Sequence, residues 1–244
     1  VNTKTTQTGG LSVEQKYRRS LRWNLVLGLI AAFLAIVVAA EMLPGESPAS
    51  TDSDDTEHAE EMDFVRRDAD DPMAIGDVDA PVVLSEFIDM RCPFCAVVSR
   101  DIMPKLIEEY VDTGKVRIEF HDLVFYGDQS EQAAVAARAA GEQDKYFEFV
   151  TAVYADAPER SHPDLPRKEL IEFAKDADVP DIKQFTEDLD NKELTDEVKA
   201  SMQQAQQLGV TSTPFFVVGN TSLSGAQPVD MFRDFLDEAL EEAE

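Results

Sequence analysis

The chain has 244 residues, with 22 Lys and Arg against 49 Asp and Glu, and a formal net charge of −27. Hydrophobic residues make up 43% of it, enough for a buried core, which excludes a wholly disordered chain. The acidic excess argues against nucleic acid, which needs a Lys/Arg footprint, and two cysteines are too few for a disulfide scaffold or a four-thiolate zinc site.

Residues 1–22 read as a cytoplasmic leader and 23–43 as a transmembrane signal anchor. Trp23 to Ala40 is an 18-residue run without a charge, roughly 27 Å long as a helix and close to the thickness of a bilayer core. Residues 1–24 carry a net +4 and the remainder −31, so the positive-inside rule keeps the N-terminus cytoplasmic and exports the rest. A cleaved signal ending at Val38-Ala39-Ala40 is the alternative. No Cys follows the apolar run, which excludes a bacterial lipid anchor. Residues 44–71, rich in Ser, Thr, Pro and acid, read as an acidic flexible linker that cannot bury enough apolar surface to order itself.

From Pro72 to Glu244 the pattern is that of a globular domain. Pro81 to Ile88 predicts a buried strand, and Cys92-Pro93-Phe94-Cys95 opens a helix along Val98, Ile102, Leu106 and Tyr110, with Pro104 predicting a kink. Gly114 ends that helix, and Lys115 to Val124 alternates as a second strand. Residues 128–208 read as helical throughout, starting at an Asp128/Glu131 capping box and closed by Gly209. Val210 to Val218 reads as a strand entered through Pro214, Thr221 to Leu223 as the short run of a hairpin after it, and Pro228 starts a final amphipathic helix. The order is that of a small mixed α/β unit with a helical insertion at about 128–209.

The chemistry lies in the cysteine pair. Three residues apart at a strand–helix junction, the first thiol meets unpaired backbone N–H groups and the positive end of the helix dipole, which favour its thiolate. The second lies one turn down and is more buried. Such a pair closes into a disulfide that opens readily, because its leaving thiolate is stabilised. Half a zinc site and an inert structural disulfide are the competing readings. No second C-x-x-C or spaced His pair supports the first, and so short a loop gains little from the second.

Glu86-Phe-Ile-Asp-Met-Arg-Cys92-Pro-Phe-Cys95, followed far downstream by Gly209-Val-Thr-Ser-Thr213-Pro214-Phe-Phe-Val-Val-Gly219, resembles the thioredoxin superfamily. With the large helical insertion it resembles the DsbA-like thiol–disulfide oxidoreductases, in particular the membrane-anchored Gram-positive type, over roughly residues 72–242. The resemblance implies an α/β thioredoxin fold and a redox-active Cys92–Cys95 disulfide with no other cofactor and no metal. It implies an exposed nucleophilic Cys92, a buried resolving Cys95, and a cis-Pro214 facing the pair. Thr213 would pair with an extended substrate through its backbone, and Pro93 and Phe94 would border the substrate. Glu86, six residues before Cys92, would shuttle the proton of Cys95; the competing reading is a Glu at a solvated strand edge. Phe94 stands where the best-known strongly oxidising member has His. The Cys92 pKa is therefore expected below the ordinary thiol value yet above the roughly 3.5 of DsbA.

The implied activity is disulfide formation in unfolded exported proteins, with reoxidation by a quinone-linked membrane oxidase. A reductase or isomerase fed with electrons from the membrane, a thiolate carrier of copper or zinc, and an inactive interaction module are the alternatives.

Overall fold

The structure, a computed structural model, describes residues 64–243; the leader, the anchor and the linker up to residue 63 lie outside the described residues. Its centre is a five-stranded sheet in the order β1-β3-β2-β4-β5. Strands β1 (Ala74–Ile75), β2 (Val82–Ile88) and β3 (Val116–Asp122) come first in the chain, and β4 (Phe215–Val218) and β5 (Thr221–Ser224) follow the helices. The β2–β3 pair is parallel, with Glu86 opposite Phe120 and Phe87 opposite His121; the other pairings are antiparallel. The predicted hairpin is present as β4–β5.

Helix α1 links β2 to β3. It begins as Pro93–Val97, widens into π-helical turns at Val98–Ile102 and Ile107–Val111, and is α-helical over Met103–Leu106 between them. The π-turn preceding Pro104 leaves its missing N–H out of the regular ladder, which is how this chain accommodates a proline inside a helix.

The insertion comprises α2 (Asp128–Gly141), α3 (Tyr146–Asp156), α4 (Arg167–Asp176), α5 (Ile182–Asp188) and α6 (Lys192–Gln207), and α7 (Val229–Glu242) returns to the sheet. Helix α2 is central. Ala133, Ala134, Ala136, Ala137, Ala139 and Ala140 are all buried, and their small side chains let the neighbouring helices pack closely on several sides. Phe232 of α7 meets Phe216 of β4 edge-to-face, ring centres 4.8 Å apart.

Three details differ from the sequence expectation. The capping box does not form, because Gly127, at φ +83, takes the N-cap and makes Asp128 the first helical residue. The helical block is interrupted between α3 and α4, where Pro158, Pro163 and Pro166 exclude a continuous helix. The folded domain also begins before residue 72. Phe64 is buried against Phe87 and His121, with ring centres 5.9 Å from each. The backbone N–H groups of Arg66 and Arg67 donate to the Glu119 carboxylate at 2.8 and 2.9 Å.

That strap explains why every residue of β3 is buried. Alternation in β3 suggests a solvated polar face, yet Arg117, Glu119 and His121 are covered by Phe64–Asp71 and by the region of α6. Arg117 Nε donates to Glu119 at 2.9 Å, so this carboxylate receives three charge-assisted or backbone bonds. Glu119→Ala leaves a buried guanidinium and two backbone donors without their acceptor. It is expected to lower the unfolding free energy by about 3–5 kcal/mol in urea titrations; a loss under about 1 kcal/mol would show that the strap is not latched there.

Candidate active site

Strand β2 ends at Ile88, and three residues later the chain turns into α1. Asp89 makes that turn. Its carboxylate accepts from the Arg91 N–H at 2.8 Å and the Phe125 N–H at 2.7 Å, while its carbonyl accepts from the Cys92 N–H at 2.9 Å and the Tyr154 hydroxyl at 3.1 Å. Cys92 is thereby placed at the N-cap of α1, with extended backbone (φ −80, ψ 116), and its sulfur accepts from the Cys95 N–H at 3.4 Å. Pro93 fills the first helical position, where it removes no intrahelical bond.

The Thr213–Pro214 peptide bond is cis. It brings the Thr213 carbonyl to 3.4 Å from Cys92 Sγ, which donates to it in the reduced form shown. The Pro214 carbonyl in turn accepts from the Gly225 N–H at 2.9 Å, fixing this loop to the end of the β4–β5 hairpin. Cys92, Pro93, Phe94, Cys95, Thr213 and Pro214, far apart in the chain, therefore meet at one end of the sheet.

The two thiols are electrostatically unlike. Cys92 is lowered from 9.0 to about 6, chiefly by its hydrogen bond with Cys95. Burial opposes the shift, while Thr213 and the N–H groups of Cys95 and Phe94 add to it. Cys95 is held well above the ordinary thiol range, first by burial and then by its bond to Cys92 and the Cys92 charge.

Glu86 is not at a solvated edge. It is 3% exposed, on the same face of the sheet as the buried Leu84 and Ile88, and its Oε2 has no hydrogen-bond partner. Burial pushes its pKa up to about 8, and its charge is felt at Cys95. Phe94, in contrast, is 60% exposed beside the pair.

One expectation is corrected. Cys92 is not an exposed thiol: both cysteines are 1% exposed, because the cis-proline loop closes over Cys92 from the side opposite the helix. Sequence reasoning also missed the side chains that brace the turn ahead of Cys92. Arg91 donates from Nη1 to the Tyr126 carbonyl at 2.5 Å and from Nε to the Pro163 carbonyl at 2.9 Å. His162 donates from Nδ1 to the Arg91 carbonyl at 2.8 Å and packs on the Tyr126 ring at 3.9 Å. The break in the helical block thus delivers His162 and Pro163 to the site. Among the described residues, no three His, Cys, Asp or Glu side chains are placed to hold a metal ion.

The shifts have opposite signs in their effect on stability. The Cys92 pKa is depressed, so its contribution to the reduced form is present above the ordinary value near 9.0 and is lost as pH falls through about 6. The Glu86 pKa is raised, so its contribution is full below 4.5 and is lost as pH rises through about 8. In oxidised protein, where Cys92 does not titrate, the stability difference between parent and Glu86→Gln should change by up to about 5 kcal/mol across that window. Chemical unfolding at a series of pH values reads it; a pH-independent difference would place the Glu86 carboxyl in solvent contact.

Comparison with known proteins agrees with this architecture. Residues 68–238 match a thioredoxin family model. The chain is similar to a probable disulfide bond formation protein D of Bacillus anthracis, 33% identical over 152 residues that cover 60% of this chain and 70% of that one. It is 25% identical over 168 residues to disulfide bond formation protein D of Bacillus subtilis, covering 68% and 76% of the two chains. The crystal structure of oxidised BdbD from Bacillus subtilis superposes with a TM-score of 0.65 at 24% identity, covering 69% of this chain and 92% of that one.

Proposed function

The chain belongs to the thioredoxin family and is a protein-disulfide oxidoreductase of the DsbA type, and we propose that it introduces disulfides into exported proteins through Cys92-Pro93-Phe94-Cys95. The observation that carries this reading is the inequality of the two thiols, with Cys92 lowered to about 6 and Cys95 raised beneath it. A sulfur with a stabilised thiolate makes the reduced pair the favoured product, so electrons flow from substrate into the enzyme.

The working state is the Cys92–Cys95 disulfide. A substrate thiolate attacks Cys92 Sγ, the bond to Cys95 breaks, and Cys95 leaves with the electron pair. Glu86, still protonated near neutral pH, supplies a proton to that buried sulfur. A second substrate thiolate then attacks the substrate sulfur of the mixed disulfide, and Cys92 departs as its thiolate. The substrate loses two electrons and its two thiol protons, and the enzyme pair gains the electrons. For reoxidation the Cys92 thiolate attacks the disulfide of a quinone-linked membrane oxidase and one oxidase cysteine leaves as thiolate; Glu86 takes the Cys95 proton, and Cys95 then attacks Cys92 Sγ, which restores the disulfide as the second oxidase cysteine departs with the electron pair.

Thr213 supplies main-chain groups for an extended substrate, which would displace the Cys92 thiol from the Thr213 carbonyl. The exposed Phe94 ring adds apolar contact without sequence demand. Work outside the cytoplasm follows from the charge asymmetry around the apolar run at residues 23–40, and from a chemistry that needs an oxidising compartment.

Two measurements test this. Equilibration with glutathione should place the reduction potential between about −270 mV, the thioredoxin value, and about −120 mV, that of DsbA; a value at or below the thioredoxin figure favours the reductase reading. A Cys95→Ser chain should accumulate mixed disulfides with exported proteins through Cys92, and Cys92→Ser should abolish both these adducts and disulfide formation. Adducts that survive Cys92→Ser would assign the nucleophile wrongly.

A further inference from the structure

The buried apolar residues fall into two clusters. Cys92 and Cys95 belong to the larger one, with Leu84 and Ile88 of β2 and the residues of α1. The smaller lies on the opposite face of the sheet, to which Phe87 of β2 and Val217 of β4 point. It backs onto segments that carry the site. Phe215, packed against it, follows directly on cis-Pro214, and Val210 within it lies just ahead of Thr213. The cis-proline loop therefore rests on this cluster at both ends. Phe125, also packed against it, supplies the N–H that Asp89 accepts at 2.7 Å.

The strap closes the cluster. Phe64 is 3% exposed, and its ring meets that of Phe87 edge-on at 5.9 Å. Phe87 meets Phe215, its register partner in β4, at 6.3 Å. A line of rings thus runs from the strap to the residue after the cis-proline. The Arg66 and Arg67 N–H groups, bonded to Glu119, hold the strap beside it. A cluster this small has few other side chains to take up the space of a lost phenylalanine.

We propose that Phe64 is a positioning residue of the active site: through Phe87 and Phe215 it holds the Thr213–Pro214 loop against Cys92. The strap then sets two properties together, the shielding of the sulfur, 1% exposed under that loop, and the alignment of the Thr213 main chain that a substrate meets. This rests on the reading of Cys92 as the exchanging sulfur and of Thr213 as the substrate's partner, and deepens it. With the ring absent, the loop can open over a cavity, and its closed geometry becomes a smaller fraction of the population.

Phe64→Ala removes the ring and leaves the strap's bonds to Glu119 in place. In the whole reduced chain, alkylation of Cys92 by iodoacetamide, located by mass spectrometry and corrected for the thiolate fraction, should rise about tenfold, because a buried sulfur reacts through opening of its cover. Phe64→Leu, milder and safe for folding, should show a rise of about twofold. Phe185→Ala removes a comparable ring from the larger cluster, where it packs on Phe149. It should lower the thermal midpoint and leave the alkylation rate at the parent value. In the oxidised chain, the rate constant with an extended dithiol peptide should fall about tenfold in Phe64→Ala, whereas that with dithiothreitol, which does not pair with main chain, should not fall. A parent-like alkylation rate in every folded Phe64 variant, an equal rise in Phe185→Ala, or equal falls with both dithiols would overturn the proposal. A parent chain that oxidises neither dithiol would instead overturn the function on which it rests, and the alkylation rates are read independently of that.

Discussion

The site depends on one buried carboxylate at a strand end. Asp89 receives the N–H of Arg91 ahead of the helix and that of Phe125 in the segment after β3, and its carbonyl receives the N–H of Cys92. Without those bonds, three backbone donors at the partly or fully buried junction of strand, helix and loop would lack these acceptors, a condition that folded proteins avoid. Satisfying them forces β2, the start of α1 and the Tyr126 segment into fixed mutual positions. Arg91 extends the same constraint to Pro163 of the insertion. The placement of Cys92 is therefore a consequence of backbone hydrogen-bond satisfaction, and the chemistry inherits its rigidity from that.

Two buried glutamates on neighbouring strands show how environment divides structural from chemical roles. Glu119 of β3 is matched by Arg117 and two strap N–H groups, so its charge is compensated and its position fixed. Glu86 of β2 has an oxygen with no partner, and burial raises its pKa to about 8. The first is a latch held by its three donors. The second is poorly solvated when charged, which is why burial raises its pKa and suits it to the proton-transfer role proposed for it beside Cys95. They share a residue type and depth of burial, but their faces of the sheet are different.

Much of this was legible in the sequence because it is carried by local pattern. The C-x-x-C at a strand–helix junction, the distant Thr213-Pro214 and the apolar stripes of the helices gave the fold and the main sulfur chemistry. What escaped depends on contacts between segments that look solvated in isolation. The strap at residues 64–71 is polar and acidic around a single Phe, and nothing in its composition reveals that Glu119 awaits its N–H groups. Asp128 and Glu131 have capping-box spacing, but the preceding Gly127 can adopt a positive φ and takes the cap instead. Tyr126 and His162 lie 36 positions apart, and only the proline-rich break between α3 and α4 brings them together. Their roles are properties of the assembled loops.

The closure of Cys92 by the cis-proline loop has a consequence for chemical selectivity. A thiolate favoured at neutral pH is, by its electronic character, open to alkylation and to peroxide oxidation, and an oxidising compartment supplies such reagents. At 1% exposure the sulfur is shielded from molecules that meet it only by diffusion. On the proposed function, a polypeptide laid along the Thr213 main chain would displace the cover, because it would replace the hydrogen bond it breaks. Reactivity is thus coupled to recognition: the group that is most easily damaged becomes accessible chiefly to the class of molecule it is meant to oxidise.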